Sequence, residues 1–133
     1  MKTLIVEDDY ASRMILMRLL LPYGETEVAA NGKEAVTAFA AALHSGSPYE
    51  LVCLDIMLPE MDGRTALREF RALESAAGGG VRPARIIMTT ALGDRESVVA
   101  VAHLCDAYLV KPVEKRRLIG CLEEFGFAPA PAI

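Results

Sequence analysis

The 133-residue sequence predicts an α/β domain, a doubly wound five-stranded parallel sheet with five helices. Three observations predict it. Leu51 to Leu54 form an unbroken apolar run that leads into Asp55 and is followed by the turn-formers Pro59 and Asp62-Gly63. A strand apolar on both faces is what a helix-covered parallel sheet requires. Runs of this kind alternate with longer segments at helical spacing, which reads as βαβ units with right-handed crossovers. Acids stand where the strands end, the side on which open parallel sheets bind ligands.

In order, Leu4-Ile5-Val6 is the first strand and ends in Glu7-Asp8-Asp9. A helix begins near Tyr10. Its Ser12, Ile15, Leu16 and Leu19 fall at i, i+3, i+4 and i+7 and form one core-facing stripe. Met14, Met17, Leu20 and Leu21 make its second side unusually apolar, and Pro22 and Gly24 close it. Glu27 to Ala30 is the second strand, Asn31-Gly32 a turn, and Lys33 to Leu43 an alanine-rich helix ended by the loop around Ser45-Gly46-Ser47-Pro48. After the central strand, Arg64 to Ala76 forms a third helix, with Ala66, Leu67, Phe70 and Leu73 in register. Gly78-Gly79-Gly80 to Pro83 is a flexible surface loop, and Ile86 to Thr90 is the fourth strand. Asp94 caps a helix reaching about Leu104, with Val98, Val101 and Ala102 inward. Ala107 to Val110 is the fifth strand, Lys111-Pro112 follows, and Arg117 to Phe125 is the last helix. The domain spans 1–126. Residues 127–133, alternating Ala and Pro from Ala128, form an extended, poorly ordered tail.

Composition narrows the function classes. The chain is large enough for a full core, and 53% hydrophobic residues with a mean hydropathy of +0.29 argue against disorder. A formal charge of −4, from 14 basic and 18 acidic residues with no long Lys/Arg run, carries no footprint for direct nucleic-acid binding. Only Leu4-Ile5-Val6 separates Thr3 from the first acids, so no signal peptide is read. No apolar run approaches the ~20 residues of a membrane span. The expectation is a cytoplasmic protein without membrane association. Cys53, Cys105 and Cys121 are odd in number, lack CxxC spacing, and read as small buried hydrophobes in a reducing compartment. His44 and His103 are far apart and away from any cysteine cluster, so no zinc site is expected.

The chemistry gathers at the strand ends. Strand one ends at Glu7 and Asp8, strand three at Asp55, strand four at Thr90 and strand five at Lys111. Crowded carboxylates repel unless a cation joins them. Mg²⁺ suits such a site because it takes oxygen ligands, including carboxylates, waters and a phosphate oxygen. A metal-held carboxylate can act as a nucleophile toward phosphorus and form an aspartyl phosphate. Lys111 supplies a cation for the phosphoryl oxygens, Thr90 a hydroxyl donor, and small Ala91 leaves an approach. Each residue alone has an ordinary explanation: helix caps for Glu7, Asp8 and Asp9, a β-branched strand residue for Thr90, a solvated loop lysine for Lys111. Asp9 is expected to do no more than cap or face solvent. The joint placement of the others on four strand ends favours the chemical reading.

As a set, LIVEDD, NGKEA, LDIMLPEMDG, MTTA and YLVKP resemble the receiver domain of response regulators, the family of the bacterial chemotaxis regulator, over nearly the whole chain. The resemblance implies the flavodoxin-like receiver fold, with sheet order 2-1-3-4-5. It implies that Asp55 is the phosphoacceptor. It implies that Asp8 and Asp55 ligate Mg²⁺ (or Mn²⁺) directly, Glu7 through water, with the backbone carbonyl of Met57 as the third protein ligand. Thr90 and Tyr108 match the paired switch residues, Lys111 the phosphate-binding lysine, and Pro112 the position after a peptide bond that is usually cis in the family. The chain also departs from the pattern. Leu104 stands where the family often ends its fourth helix in Gly. The loops around Ser45 to Pro48 and Ala76 to Pro83 look longer than typical. Apolar Met57 and Leu92 flank the site where polar side chains in relatives help position water, so slow self-dephosphorylation is expected.

The resulting expectation is a stand-alone receiver. Asp55 takes a phosphoryl group from a histidine kinase or phosphotransfer protein, with Mg²⁺, and loses it by hydrolysis. The modification biases a two-state equilibrium, with Thr90 moving toward the phosphate and Tyr108 inward. Its readout is the face of helix four, strand five and helix five, where Val99, Ala100 and His103 form a partner or homodimer patch. The apolar second side of helix one would dock the phosphodonor. The domain is no enzyme beyond promoting its own phosphoryl acceptance and loss. The alternatives are a phosphorylation-independent binding module of the same fold, and a receiver fragment of a larger regulator or hybrid kinase with the Ala/Pro tail as linker. A phosphatase of similar fold would need a second acid where Met57 stands, and a flavodoxin-like redox protein a phosphate-cradling loop where the first acids stand.

Overall fold

The computed structural model describes residues 1–131. The strands are β1 (Lys2–Val6), β2 (Glu25–Ala29), β3 (Leu51–Asp55), β4 (Arg85–Thr90) and β5 (Ala107–Val110). The helices are α1 (Tyr10–Leu20), α2 (Gly32–His44), α3 (Gly63–Ala77), α4 (Arg95–Val99) and α5 (Lys115–Glu124). Short 3₁₀ turns occupy Leu21–Tyr23 and Ala102–Leu104. All neighbouring strands are parallel, in the order β2-β1-β3-β4-β5, as predicted.

The two-residue period of the strands divides the core. Leu4, Val6, Val52, Leu54, Ile86 and Met88 face the layer of α2, α3 and α4, where Phe39 and Phe70 stack with ring centroids 4.5 Å apart. Ile5, Cys53 and Ile87 face α1 and α5 through Leu16, Leu20, Leu118 and Leu122. Central β3 is buried along its whole length, which explains its unbroken apolar run.

The structure corrects several local readings, among them the start of α5, which is Lys115 and not Arg117. The core line of α1 is Leu16 and Leu20, whereas Ile15 is 40% exposed and Leu19 half-buried. That helix is apolar around most of its circumference, so periodicity alone did not set its phase. Strand β2 begins at Glu25, two residues before the predicted start. It is an edge strand with exposed polar residues, paired to β1 from Lys2↔Glu25 onward, so hydropathy did not mark its beginning. Asn31 is no turn residue: its side chain accepts from the Glu34 N–H at 2.7 Å and caps α2.

A further correction concerns the helix expected from Asp94 to Leu104, which is a five-residue α4 followed by a 3₁₀ turn. The Asp94 side chain makes no cap hydrogen bond, and Val101, at φ −123°, leaves the helical region. β-branched residues are indifferent helix formers. Burial of Val98 and Val101 is kept, but Ala102 is exposed.

The cysteines differ among themselves. Cys53 is buried, and burial pushes its thiol up to about 12, whereas Cys105 and Cys121 are half-buried. Beyond α5, Phe127 packs edge-on against Phe125 at 6.3 Å and donates its N–H to the Leu122 carbonyl. The Ala130 N–H reaches the Pro22 carbonyl at 2.8 Å, so the start of the predicted tail lies against the domain. Its last two residues, 132 and 133, lie outside the described residues.

Candidate functional site

Parallel register lines up the site. The Glu7 N–H bonds the Ala29 carbonyl at 3.1 Å, prolonging β1 by one residue, and Asp55 closes β3 opposite Thr89 of β4. Glu7 is fully buried, Asp55 is 4% exposed, and Asp8 sits exposed on the loop above them. One carboxylate oxygen from each of the three lies within 4.8 Å of the others. Asp9 caps α1 by accepting from the Ser12 N–H at 2.9 Å, and that bond holds its carboxyl below the usual carboxylate range.

Lys111 follows β5 and crosses the row of acids. Its Nζ lies 2.8 Å from Asp55 Oδ2 and 2.6 Å from Glu7 Oε1. The contact with Asp55 is an aligned hydrogen bond. The contact with Glu7 is an ion contact of poor angle, which leaves Glu7 Oε1 without a hydrogen-bond partner among the described residues. Glu7 Oε2 accepts from the Asp9 N–H, and Asp55 Oδ1 from the Met57 N–H at 3.0 Å. The Lys111-Pro112 peptide is cis, and the Lys111 N–H bonds the Thr90 carbonyl.

The electrostatics follow from burial. Desolvation raises Glu7 to about 7, with neighbouring Asp55 pushing the same way and Lys111 opposing. Burial works against the Lys111 charge, but its close contacts with the Asp55 and Glu7 carboxylates outweigh this and raise it. The donor set fits a hard divalent cation such as Mg²⁺ or Mn²⁺. All three groups offer oxygens, Asp8 is open to solution, and a buried Glu7 oxygen lacks a hydrogen-bond partner.

Thr90 is buried beside this centre on β4, but its hydroxyl donates to the neighbouring Ala91 carbonyl at 3.3 Å. Tyr108 lies on edge strand β5 with its side chain 43% exposed. The side chains of Met57 and Leu92 are exposed at the rim. Glu7, Asp8, Asp55 and Lys111 are therefore assembled, while the Thr90 hydroxyl is engaged with Ala91 and Tyr108 is turned to solvent.

Two contributors escaped the sequence reading. Asp62 is the N-cap of α3 and accepts from the Arg64 and Thr65 N–H groups, where a simple turn was expected. The available signal was an Asp directly before a helical run. Gly63 lets α3 start against the acid: a Cβ there would collide with the Asp55 carbonyl and lie 2.7 Å from Ile56 Cα. Both neighbours are backbone and cannot swing away. Gly63→Ala should cost about 1–3 kcal/mol, as overpacking does, and displace Asp55. Urea denaturation checks the first effect and metal binding the second. Wild-type values for both would show that the backbone yields freely.

Comparison with known proteins decides the family. The response regulator receiver domain matches over residues 3–123. This chain belongs to the response regulator receiver domain family. The receiver is 33% identical over 126 residues to the chemotaxis protein CheY of Bacillus subtilis, covering 92% of this chain and 95% of CheY. It is 35% identical over 120 residues to the transcriptional regulatory protein AruR of Pseudomonas aeruginosa, covering 89% of this chain and 46% of AruR. The chain thus spans nearly all of one relative and about half of the other. Among solved structures, the receiver domain of a sensor histidine kinase from Pseudomonas aeruginosa superposes with a TM-score of 0.75 at 29% identity, over 92% of this chain and 94% of that one. That relative has a magnesium ion coordinated in its active-site cleft. Receiver domains are signalling modules of two-component systems rather than conventional enzymes. Among the described residues, no helix is long and apolar enough to cross a membrane.

Proposed function

We propose that this receiver accepts a phosphoryl group on Asp55 from a histidine kinase or phosphotransfer protein, in a reaction that depends on a divalent metal, and that the modification switches a partner-binding surface. The observation that carries this reading is the setting of Asp55. Its Oδ2 is bonded to Lys111 and its Oδ1 to the Met57 N–H, beside two further acids within 4.8 Å.

Glu7, Asp8, Asp55 and the Met57 carbonyl would hold Mg²⁺ or Mn²⁺, which when bound neutralises charge at the carboxylates and the phosphoryl oxygens. The chain's own groups do the rest. A carboxylate oxygen of Asp55 attacks phosphorus, and the bond from phosphorus to the donor nitrogen breaks as the donor imidazole leaves. Lys111 exchanges its contact with Asp55 for the phosphoryl oxygens. The Thr90 hydroxyl leaves the Ala91 carbonyl and donates to the phosphoryl group, and Tyr108 turns inward from its exposed position.

The output face is α4, β5 and α5, where Val99, Ala100, His103, Tyr108 and Val110 are exposed. A five-residue α4 with no side-chain cap suits a segment that changes conformation at low cost. The same patch is the homodimer candidate. Of the apolar second side of α1, Leu20 is buried and Met14 and Met17 are half-buried, so exposed Leu21, with Tyr10 and Ile15, offers the phosphodonor an apolar dock. The setting is cytoplasmic, where kinase and receiver meet.

Incubation with acetyl phosphate and Mg²⁺, followed by intact mass measurement, tests this reading. One phosphoryl increment is expected in the wild type, and none in Asp55→Asn or without metal. No increment, together with no response to beryllofluoride, would favour a phosphorylation-independent binding module. Met57 and Leu92 give a hydrolytic water no polar side chain at the rim, so the phosphoryl group should persist for minutes or longer. Met57→Asn should shorten its lifetime several-fold. A lifetime of seconds, unchanged in Met57→Asn, counts against this.

A further inference from the structure

Thr89 has no part in the mechanism above, yet the fold places it in the row of the site. It pairs with Asp55 in the β3–β4 register, and its side chain continues the line of Ile87 on the α1–α5 side of the sheet. Glu7 continues the line of Ile5 on that same side. Thr89 is 1% exposed, and its Oγ1 has no hydrogen-bond partner among the described residues. Glu7 Oε1 has the Lys111 ammonium 2.6 Å away but no aligned hydrogen-bond donor among the described residues. Buried polar atoms without partners are uncommon and call for an explanation.

Both residues line one small pocket of about 30 Å³ that is also lined by Lys111 and by Ser12, Ile15 and Leu16 of α1. A cavity of about 10–15 Å³ already holds a water, provided two to four polar groups face it. Thr89, Glu7, Lys111 and Ser12 are the polar residues that line this one.

We propose that Thr89 is a positioning residue: its hydroxyl holds a buried water between itself, Glu7 Oε1 and Lys111 Nζ, and so fixes the Glu7 carboxylate for metal binding. The inference rests on the metal-dependent reading above. The Asp9 N–H already holds Glu7 Oε2, and the water secures the other oxygen. Lys111 donates one proton to Asp55 in an aligned hydrogen bond and meets Glu7 only as an ion contact, so a further proton is available to the water. When Lys111 turns to a phosphoryl oxygen, the water and Thr89 keep Glu7 in place.

Thr89→Val removes the hydroxyl at nearly constant shape, and Thr89→Ser retains it. Mg²⁺ affinity by titration calorimetry should weaken about 10-fold in Thr89→Val, the lower end of what outer-shell losses cost, and stay near wild type in Thr89→Ser. A high-resolution crystal structure of the wild type should show the water bonded to Thr89 Oγ1 and Glu7 Oε1, and that of Thr89→Val should not. A dry cavity in the wild type, or wild-type affinity with a raised Tm in Thr89→Val, overturns this role alone and marks Thr89 as an ordinary buried hydroxyl. A wild-type protein that binds no Mg²⁺ overturns the underlying functional reading together with it.

Discussion

Lys111→Met is expected to destabilise the metal-free protein by about 3–5 kcal/mol, the cost of stripping one partner from a buried ion pair. The lysine contacts two buried carboxylates at once, Glu7 at 2.6 Å and Asp55 at 2.8 Å. Methionine keeps the packing of the stem but leaves the acids facing each other without the cation. A divalent metal binds only the folded site and therefore stabilises it by mass action. Added Mg²⁺ should raise the stability of Lys111→Met by more than it raises that of the wild type, where the lysine charge competes for the same oxygens. Urea denaturation of both proteins, with and without Mg²⁺, reads this directly. A loss under about 1 kcal/mol, the level of an exposed pair, would mean that water reaches the acids and screens them. Equal responses to Mg²⁺ would mean that lysine and metal do not share these oxygens.

The second large effect lies at the opposite end of the sheet. Arg71 of α3 donates through Nε to the Leu104 carbonyl and through Nη1 to Glu74 and the Ala84 carbonyl, and its Nη2 lies 3.1 Å from Asp106. Glu74 is buried and accepts the Ala84 N–H at 2.7 Å, while Asp106 accepts the Ile86 N–H. One guanidinium thus clamps α3 to the start of β4 and to the turn after α4. Arg71→Met should cost about 3–5 kcal/mol, because Glu74 stays buried without its counter-ion. Adding Glu74→Gln should recover much of that loss, since the amide oxygen still accepts from Ala84 and carries no charge. A double-mutant cycle from urea midpoints at constant m-value separates the pair from its surroundings. If Arg71→Met alone costs under about 1 kcal/mol, the cluster is solvated and the clamp is not energetic.

Neither the Arg71 cluster nor the Thr89 cavity could be read along the chain. Arg71 and Asp106 are 35 residues apart, and nothing in an arginine on a helical segment marks its partner. The phase of α1 was hidden for a different reason. A helix with apolar residues on most sides satisfies several registers, and only docking onto Ile5 and Leu118 selects Leu16 and Leu20. The break after α4 depends on Val98 and Val101 reaching the core in a segment whose local preferences are weak.

What the sequence determined by itself was the architecture and the identity of the acids and the lysine. Strands buried on both faces must be continuously apolar, so their ends are sharp in the sequence, and Glu7 and Asp55 each stand at such an end, while Lys111 follows the short apolar edge strand β5. Tertiary structure alone decided which oxygens meet. Register sets Thr89 beside Asp55, the strand after next delivers Lys111 across Glu7, and a glycine lets α3 touch the acid's carbonyl. Those contacts join segments far apart in the chain, and their angles and burial arise only when the layers close on one another.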